Sequence, residues 1–132
     1  MPTYKPFDVV VVPFPFTDRT ATKKRPALVL SCEMFNSGIG HSVMAMITTA
    51  SHSAWPLDVD ITNLENAGLK SPSIIRMKLF TIDHVLIHKH IGQLSSQDQE
   101  AVVSTLQSLL CVSDESDSTG AGLSKRSRPS LG

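Results

Sequence analysis

Residues 8–14 read Asp-Val-Val-Val-Val-Pro-Phe, a run dominated by valine. Valine is β-branched, so the run predicts a strand. Four consecutive valines show no polar alternation, which indicates that both faces of the strand are covered, as in the middle of a small barrel. Pro13 and Pro15 cannot donate a backbone hydrogen bond, so the strand is expected to end beside them.

Shorter apolar runs on the C-terminal side predict further strands. These runs span residues 26–31, 43–49, 58–61 and 73–81, with a less regular extension at 85–91. Asn36, Ser37, Gly38 and Gly40 predict a turn at 32–41. Residues 63–69 predict one helical turn that stops at Gly68. Strands at this spacing indicate a small barrel.

One helix is expected, at residues 96–111. Ser95 or Ser96 can cap its N-terminus, and its spacing predicts one buried face formed by Val102, Leu106, Leu109 and Leu110. Residues 113–132 are polar and contain almost no apolar side chains, so they are expected to be disordered. The sequence therefore predicts one domain at 1–112 and a disordered polar tail at 113–132.

The formal net charge is zero, with 12 basic and 12 acidic residues in 132. Proteins that bind nucleic acid through bulk charge are usually basic, so an RNA-binding function has to depend on a local site. One basic cluster exists, formed by Arg19, Lys23, Lys24 and Arg25. A solvated loop is the ordinary interpretation of such a run. No export signal is evident, and Cys32 and Cys111 lack disulfide or zinc spacing, so a cytoplasmic protein is expected.

Several segments in a row resemble the MazF/PemK family of toxin ribonucleases. They are DVVVVPFPFTD at 8–18, KRPALVLS at 24–31, AMITT at 45–49, AGLKSPSIIR at 67–76 and TID at 81–83. Each motif is unspecific alone, whereas their order and spacing together are characteristic. The resemblance covers residues 7–111. It departs from the family at Phe7, where a glycine is usual, and at Lys78, where some relatives carry glutamine.

The resemblance implies an SH3-like small β-barrel of the MazF/CcdB toxin type, mainly β with a C-terminal helix. It also implies a homodimer, an antitoxin partner whose tail occupies the RNA groove, and sequence-selective cleavage of single-stranded RNA such as mRNA. No metal, cofactor or membrane is expected. The family's essential arginine corresponds to Arg25 and its essential strand-end threonine to Thr48.

These two residue types suit RNA cleavage. RNA carries its own nucleophile, the 2′-hydroxyl, so a protein has only to align it, move protons and stabilise the charged transition state. The Arg25 guanidinium matches phosphate oxygens, and Thr48 can hydrogen-bond the phosphate or the 2′-hydroxyl. Without the resemblance, Arg25 is an ordinary surface arginine and Thr48 an ordinary strand residue.

The remaining candidates are less specific. His52 is a possible general base or simply an exposed histidine, and Ser73 and Lys78 are possible phosphate or base contacts. Trp55 can stack on a base, or it can be a core or dimer-interface aromatic. His88 and His90 alternate as a metal pair would, but no third ligand is evident. The RNA-binding candidates are Thr17, Arg19, Lys23, Lys24 and Trp55.

Two alternatives to a nuclease stay open. One is a non-catalytic toxin of the same barrel that inhibits a protein target such as a topoisomerase, and the other is an SH3-like binding module. Neither needs Arg25 and Thr48 together, whereas the neutral net charge is easier to reconcile with both.

Overall fold

The computed structural model describes residues 3–14, 23–50 and 54–112. Six strands form one antiparallel sheet in the order β4-β5-β3-β2-β1-β6. The elements in chain order are β1 (Asp8–Phe14), β2 (Lys23–Val29), α1 (Glu33–Ile39), β3 (His41–Thr49), β4 (Val59–Asp60), α2 (Leu64–Ala67), β5 (Ser73–Asp83), a 3₁₀ turn (His84–Leu86), β6 (Lys89–Gln93) and α3 (Ser96–Leu110).

The valines of β1 divide between two apolar clusters, one on each face of the sheet. Val9 belongs to the inner cluster, which also contains Leu28, Ile47 and residues of α2 and α3. Val10 and Val12 belong to the outer cluster with Ala27, Val29, Met44, Phe80 and Ile82. Both faces of this strand are therefore covered, as the uninterrupted valine run predicts.

Helix α2 closes the curled sheet by packing its backbone against β6. A Cβ atom on Gly92 would lie 2.4 Å from the carbonyl carbon of Ala67, and one on Gly68 would lie 2.0 Å from the carbonyl oxygen of Ile91. Gly68 ends the helix in the left-handed conformation, with φ 77°. The Asn66 side chain donates a hydrogen bond to the carbonyl of Gln93, at 2.8 Å. This close backbone contact joins the two ends of the sheet around the inner cluster.

Helix α3 is anchored to the barrel through its first turn. The Ser95 hydroxyl caps the helix by accepting from the Asp98 amide. The carboxylate of Asp98 accepts from the amide and hydroxyl of Thr62 and from the amide of Asn63. The apolar face is shorter than its spacing predicts: Val102 is fully buried, but Leu110 is 56% exposed, so its predicted burial is wrong.

The turn predicted at 32–41 is wrong, because residues 33–39 form α1. Asn36, a poor helix former, is fully buried there, and its side chain donates to the carbonyls of Tyr4 and Ser31. These tertiary hydrogen bonds compensate for the low helix propensity. Gly40 then ends the helix in the left-handed conformation, φ 68°.

Strand boundaries differ from the prediction in every strand after β1: β2 ends earlier, at Val29, β3 begins earlier, at His41, and β4 is shorter, at Val59–Asp60. β2 begins at Lys23 rather than at Pro26, because Lys23 and Lys24 pair with β1. β5 continues to Asp83. Of the extension predicted at 85–91, only the part from Lys89 is a strand, because Asp83 caps a 3₁₀ turn at residues 84–86. Among the described residues, no helix is both long and apolar enough to cross a membrane.

Candidate active site

Arg25 and Thr48 share the outer face of the sheet. β2 and β3 pair antiparallel, and the recorded pairing ends with Ala27 opposite Met46. The same register, continued by two residues on each strand, sets Arg25 opposite Thr48. Since side chains alternate between faces, both residues lie on the side of Ala27, which belongs to the outer cluster. Two distant segments of the chain thus bring a half-buried guanidinium and the hydroxyl of Thr48, which is 8% exposed, to one face of the sheet.

Arg25 is held by an aromatic ring of the neighbouring strand. Its guanidinium carbon lies 5.1 Å from the centroid of the Phe14 ring. On the backbone, Arg25 is paired with Val12 of β1. A cation over an aromatic face gains about 0.5–1 kcal/mol at an exposed site, and the contact restricts the side chain. The half-buried Arg25 therefore offers a fixed positive charge.

A second arginine, Arg76 of β5, lies on the same face. It pairs with Met46, the residue of β3 that lies two positions before Thr48. Its Nε and one terminal nitrogen donate to the Asp58 carboxylate, at 3.2 and 3.1 Å. Its guanidinium carbon also lies 5.0 Å from the centroid of the Trp55 ring. Trp55 is thus brought to the same region as Thr48.

The pKa of Asp58 is lowered from its ordinary value. Burial opposes ionisation and acts to raise the pKa, but it is outweighed by hydrogen bonds from Arg76 and the Trp55 amide and by the charge of Arg76. Asp58 is therefore a carboxylate at neutral pH, and it neutralises Arg76 locally. Of the two arginines on this face, Arg25 is therefore the one whose guanidinium has no carboxylate within 4 Å among the described residues.

Sequence reasoning gave no role to Arg76 or Asp58. One signal was present, because the alternation of β5 sets Arg76 on the side opposite Ile75 and Met77. The pairing with Asp58 had no local signal, since the two residues meet only after β4 and β5 pair. Ion pairs between segments cannot be found by spacing along one element.

The other described candidates are divided between the two faces. Lys23 and Lys24 are exposed at the start of β2, with Lys23 on the side of Arg25. Lys78 is exposed in an irregular part of β5, between Arg76 and Phe80. Ser73 pairs with Thr49 and therefore lies on the inner side, where its hydroxyl donates to the Ser71 carbonyl. The structure thus separates Ser73 from Arg25 and Thr48.

Three further candidates, Thr17, Arg19 and His52, lie outside the described residues. Within the described ranges, no group of three or more His, Cys, Asp or Glu side chains is arranged to hold a metal ion. His90 instead lies beside the buried Asp8, with 3.3 Å between Nε2 and Oδ1. The outer face therefore carries the Arg25 guanidinium, which can pair with phosphate oxygens, and the Thr48 hydroxyl, which can form hydrogen bonds.

Solved structures of MazF toxins have the same fold. A MazE–MazF complex from Deinococcus radiodurans matches with a TM-score of 0.67 and 21% identity, over 86% of this chain and 100% of that chain. The Mycobacterium tuberculosis toxin MazF-mt6 matches with a TM-score of 0.64 and 19% identity, over 80% and 98%. An endoribonuclease in complex with its cognate antitoxin, from a mycobacterial species, matches with 0.66 and 13%, over 86% and 98%. The fold is therefore that of a toxin barrel, as the sequence predicts.

The family model described as PemK-like, MazF-like toxin of type II toxin-antitoxin systems matches residues 5–110. This chain belongs to that toxin family. The comparison with curated proteins gives no match. The resemblance identified from the sequence motifs is confirmed.

Proposed function

We propose that this toxin is a metal-independent endoribonuclease that cleaves single-stranded RNA, with mRNA as its cellular substrate. The observation that supports the proposal is the shared face of Arg25 and Thr48, each of which lies two residues beyond the last pair of β2 and β3, Ala27 and Met46. A cation and a hydroxyl on one face suit a ribose-linked phosphodiester, because the substrate supplies its own nucleophile.

In the proposed reaction the 2′-oxygen attacks the adjacent phosphorus while its proton passes to a general base. The bond from phosphorus to the 5′-oxygen breaks, and the departing oxygen takes up a proton. The products are a 2′,3′-cyclic phosphate, or a 3′-phosphate after hydrolysis, and a 5′-hydroxyl. Arg25 stabilises the negative charge that develops on the phosphate oxygens, and Thr48 hydrogen-bonds the phosphate or the 2′-hydroxyl.

Arg25 itself is not assigned as the base, because a guanidinium is already protonated at neutral pH and has no acceptor for a proton. Donation of a proton to the 5′-oxygen is compatible with that chemistry. His52 stays a candidate for the base and lies outside the described residues. Lys23, Lys24 and Trp55 are proposed to bind the flanking RNA, together with Thr17, Arg19 and Lys78.

The partners and cellular context follow from the family. We expect a homodimer, a cognate antitoxin that covers the RNA-binding surface, and a cytoplasmic location. Residues 1–112 form the proposed toxin domain, and the polar segment 113–132 is proposed to be a tail outside it.

The test is cleavage of a short single-stranded RNA in EDTA, with the ends of the products identified. Wild-type protein is expected to give 5′-hydroxyl products. Arg25→Ala should lower kcat by at least about 10²-fold, as loss of one transition-state donor does. Arg25→Lys should restore little, since an ammonium cannot replace the planar fork. Circular dichroism checks that each variant folds.

Lys89→Ala is the matched control, because it removes one exposed positive charge from β6, at a position paired with Val11. It should cleave like wild type. Full activity of Arg25→Ala would refute the assignment. RNA that stays intact at high protein concentration would favour a non-catalytic toxin that binds a protein target such as a topoisomerase.

A further inference from the structure

Trp55 is the only tryptophan of the chain, and the residue is 43% exposed. Tryptophan is highly buried on average, and its ring is suited to stacking because it is apolar on its faces and polar at one edge. The Arg76 guanidinium carbon lies 5.0 Å from the centroid of the Trp55 ring. The ring is therefore supported by a cation and still offers a large apolar surface.

Asp58 holds both the arginine and the backbone of Trp55. Its carboxylate accepts two hydrogen bonds from Arg76, at 3.2 and 3.1 Å, and one from the Trp55 amide, at 2.8 Å. The side chains of Arg76 and Asp58 are only 11% and 13% exposed. An ion pair so shielded from water holds its geometry better than a surface pair does.

The chain around Trp55 is a tight turn. Pro56 and Leu57 occupy its central positions, Leu57 has φ 67°, and the Asp58 amide donates to the Trp55 carbonyl at 3.4 Å. Proline followed by a left-handed residue is the pattern of a type II turn, in which glycine is usual at the second central position. Leucine there costs about 1–2 kcal/mol and persists only because the surroundings hold it. The backbone of Trp55 is thus held by the hydrogen bond of the turn and by the Asp58 carboxylate.

The position relative to Arg25 and Thr48 is set by the sheet. Arg76 lies on β5 and Arg25 on β2, and both strands flank β3. Neighbouring strands are about 4.8 Å apart, so roughly 10 Å separates the outer two. A nucleotide whose phosphate contacts Arg25 therefore has neighbours within reach of the indole.

We propose that Trp55 is a stacking platform for an unpaired nucleobase next to the scissile phosphodiester, and that Arg76 and Asp58 are positioning residues that hold it. The inference rests on the proposed function. Arg76 is not proposed to bind a phosphate of the RNA, because Asp58 already neutralises its guanidinium. Base stacking on an aromatic ring is tolerant of sequence, so the platform contributes affinity for single strands of any composition.

The single tryptophan makes a direct test possible, since its fluorescence reports this site alone. Wild-type protein is titrated with a short RNA whose riboses are all 2′-O-methylated, so that the nucleophile is blocked. Binding is followed by the anisotropy of a label on the RNA, and stacking by quenching of the indole emission. A strand of the same length without bases keeps the phosphates and serves as the ligand control.

Saturable quenching with the RNA, together with binding of the baseless strand without quenching, is the expected result. Binding without quenching would overturn the platform and leave the nuclease proposal intact. Absence of binding to any single strand would count against the proposed function itself. These two failures are therefore distinguishable in one titration.

Variants distinguish the contribution of the Trp55 ring from that of the Arg76–Asp58 pair that holds it. Trp55→Ala should weaken RNA binding by about 5- to 150-fold, the range for loss of one stacked base, and raise KM more than it lowers kcat. Trp55→Phe should restore most of the affinity. Asp58→Asn should raise KM and alter the emission of the free protein, whereas Asp60→Asn, an exposed carboxylate of β4, should change neither. An unchanged KM in Trp55→Ala would refute the proposal.

Discussion

Phe7 occupies a backbone conformation that L-residues rarely adopt, with φ 75°. Two hydrogen bonds hold it there: its amide donates to the Val29 carbonyl at 2.7 Å, and its carbonyl accepts from the Leu94 amide at 3.0 Å. Its ring packs against the inner cluster. The corner at which the resemblance leads us to expect glycine is therefore held in this chain by packing and backbone pairing of Phe7.

The left-handed φ of Phe7 predicts that glycine is more stable than alanine at this position, which is the reverse of the usual order. Phe7→Gly should be about 1 kcal/mol more stable than Phe7→Ala, because a side chain in this conformation costs about 1–2 kcal/mol. Urea unfolding of the two variants measures the difference. At the exposed helical position Glu100 the ordinary order is expected, with alanine more stable than glycine. The ordinary order at residue 7 would contradict the strained corner.

Helix α3 and the segment after β4 depend on one buried carboxylate. Asp98 is 1% exposed and accepts hydrogen bonds from Thr62 and Asn63. Burial acts to raise its pKa, but the hydrogen bonds from Thr62, Asn63 and Ser95 outweigh it, so the pKa is lowered. A carboxylate with a lowered pKa stabilises the fold at pH values above its ordinary pKa, and this contribution is lost as the pH falls through the folded-state pKa.

Asp98→Asn should therefore cost about 1–3 kcal/mol at neutral pH, because an amide nitrogen replaces one acceptor oxygen in a site built of donors. Below the ordinary carboxyl pKa of about 3.9 the difference from wild type should shrink. Urea unfolding at neutral pH and through the acid range measures both effects. Asp60→Asn is the control and should change little. An equal loss at all pH values would exclude ionisation as the cause.

For the whole molecule, closure of the barrel depends on contact between the backbones of α2 and β6. Gly92→Ala would direct a Cβ atom into Ala67 and Asn66 backbone atoms at 2.4–2.7 Å. Since backbone cannot move aside as a flexible side chain can, we expect a loss of about 2 kcal/mol or more. Gly38→Ala is the control: nothing lies within 4 Å of its Cβ position in α1, so alanine should stabilise by up to about 1 kcal/mol. Urea unfolding compares the two.

Because the net charge is zero, the salt dependence of RNA binding is expected to come from a few local cations. If RNA is bound by local contacts, the cations of β2 set the salt dependence, and the slope of log K against log salt should be about −2 or steeper. Lys23→Ala removes the lysine on the side of Arg25 and should make the slope shallower by about 0.7, and Lys89→Ala should not change it. A slope near zero for wild type would exclude phosphate contacts by Lys23, Lys24 and Arg25.

The elements whose signals are local can be predicted from the sequence. The valine run predicted β1 with its observed bounds, a cap at Ser95 or Ser96, which the structure shows to be Ser95, predicted the start of α3, and the order of motifs predicted the family. Local propensity and capping act over a few residues, so they can be read along the chain. The candidates Arg25 and Thr48 also came from motifs, through the resemblance.

Features that depend on contacts between distant segments are visible only in the tertiary structure. Asn36 is helical because its side chain reaches Tyr4, and Ser73 is separated from Thr48 because the register sets it on the other face. The cluster of Trp55, Asp58 and Arg76 exists only once β4 pairs with β5. Hydrogen bonds and register between segments far apart in sequence have no periodicity to reveal them, and a shift of one residue reverses every face.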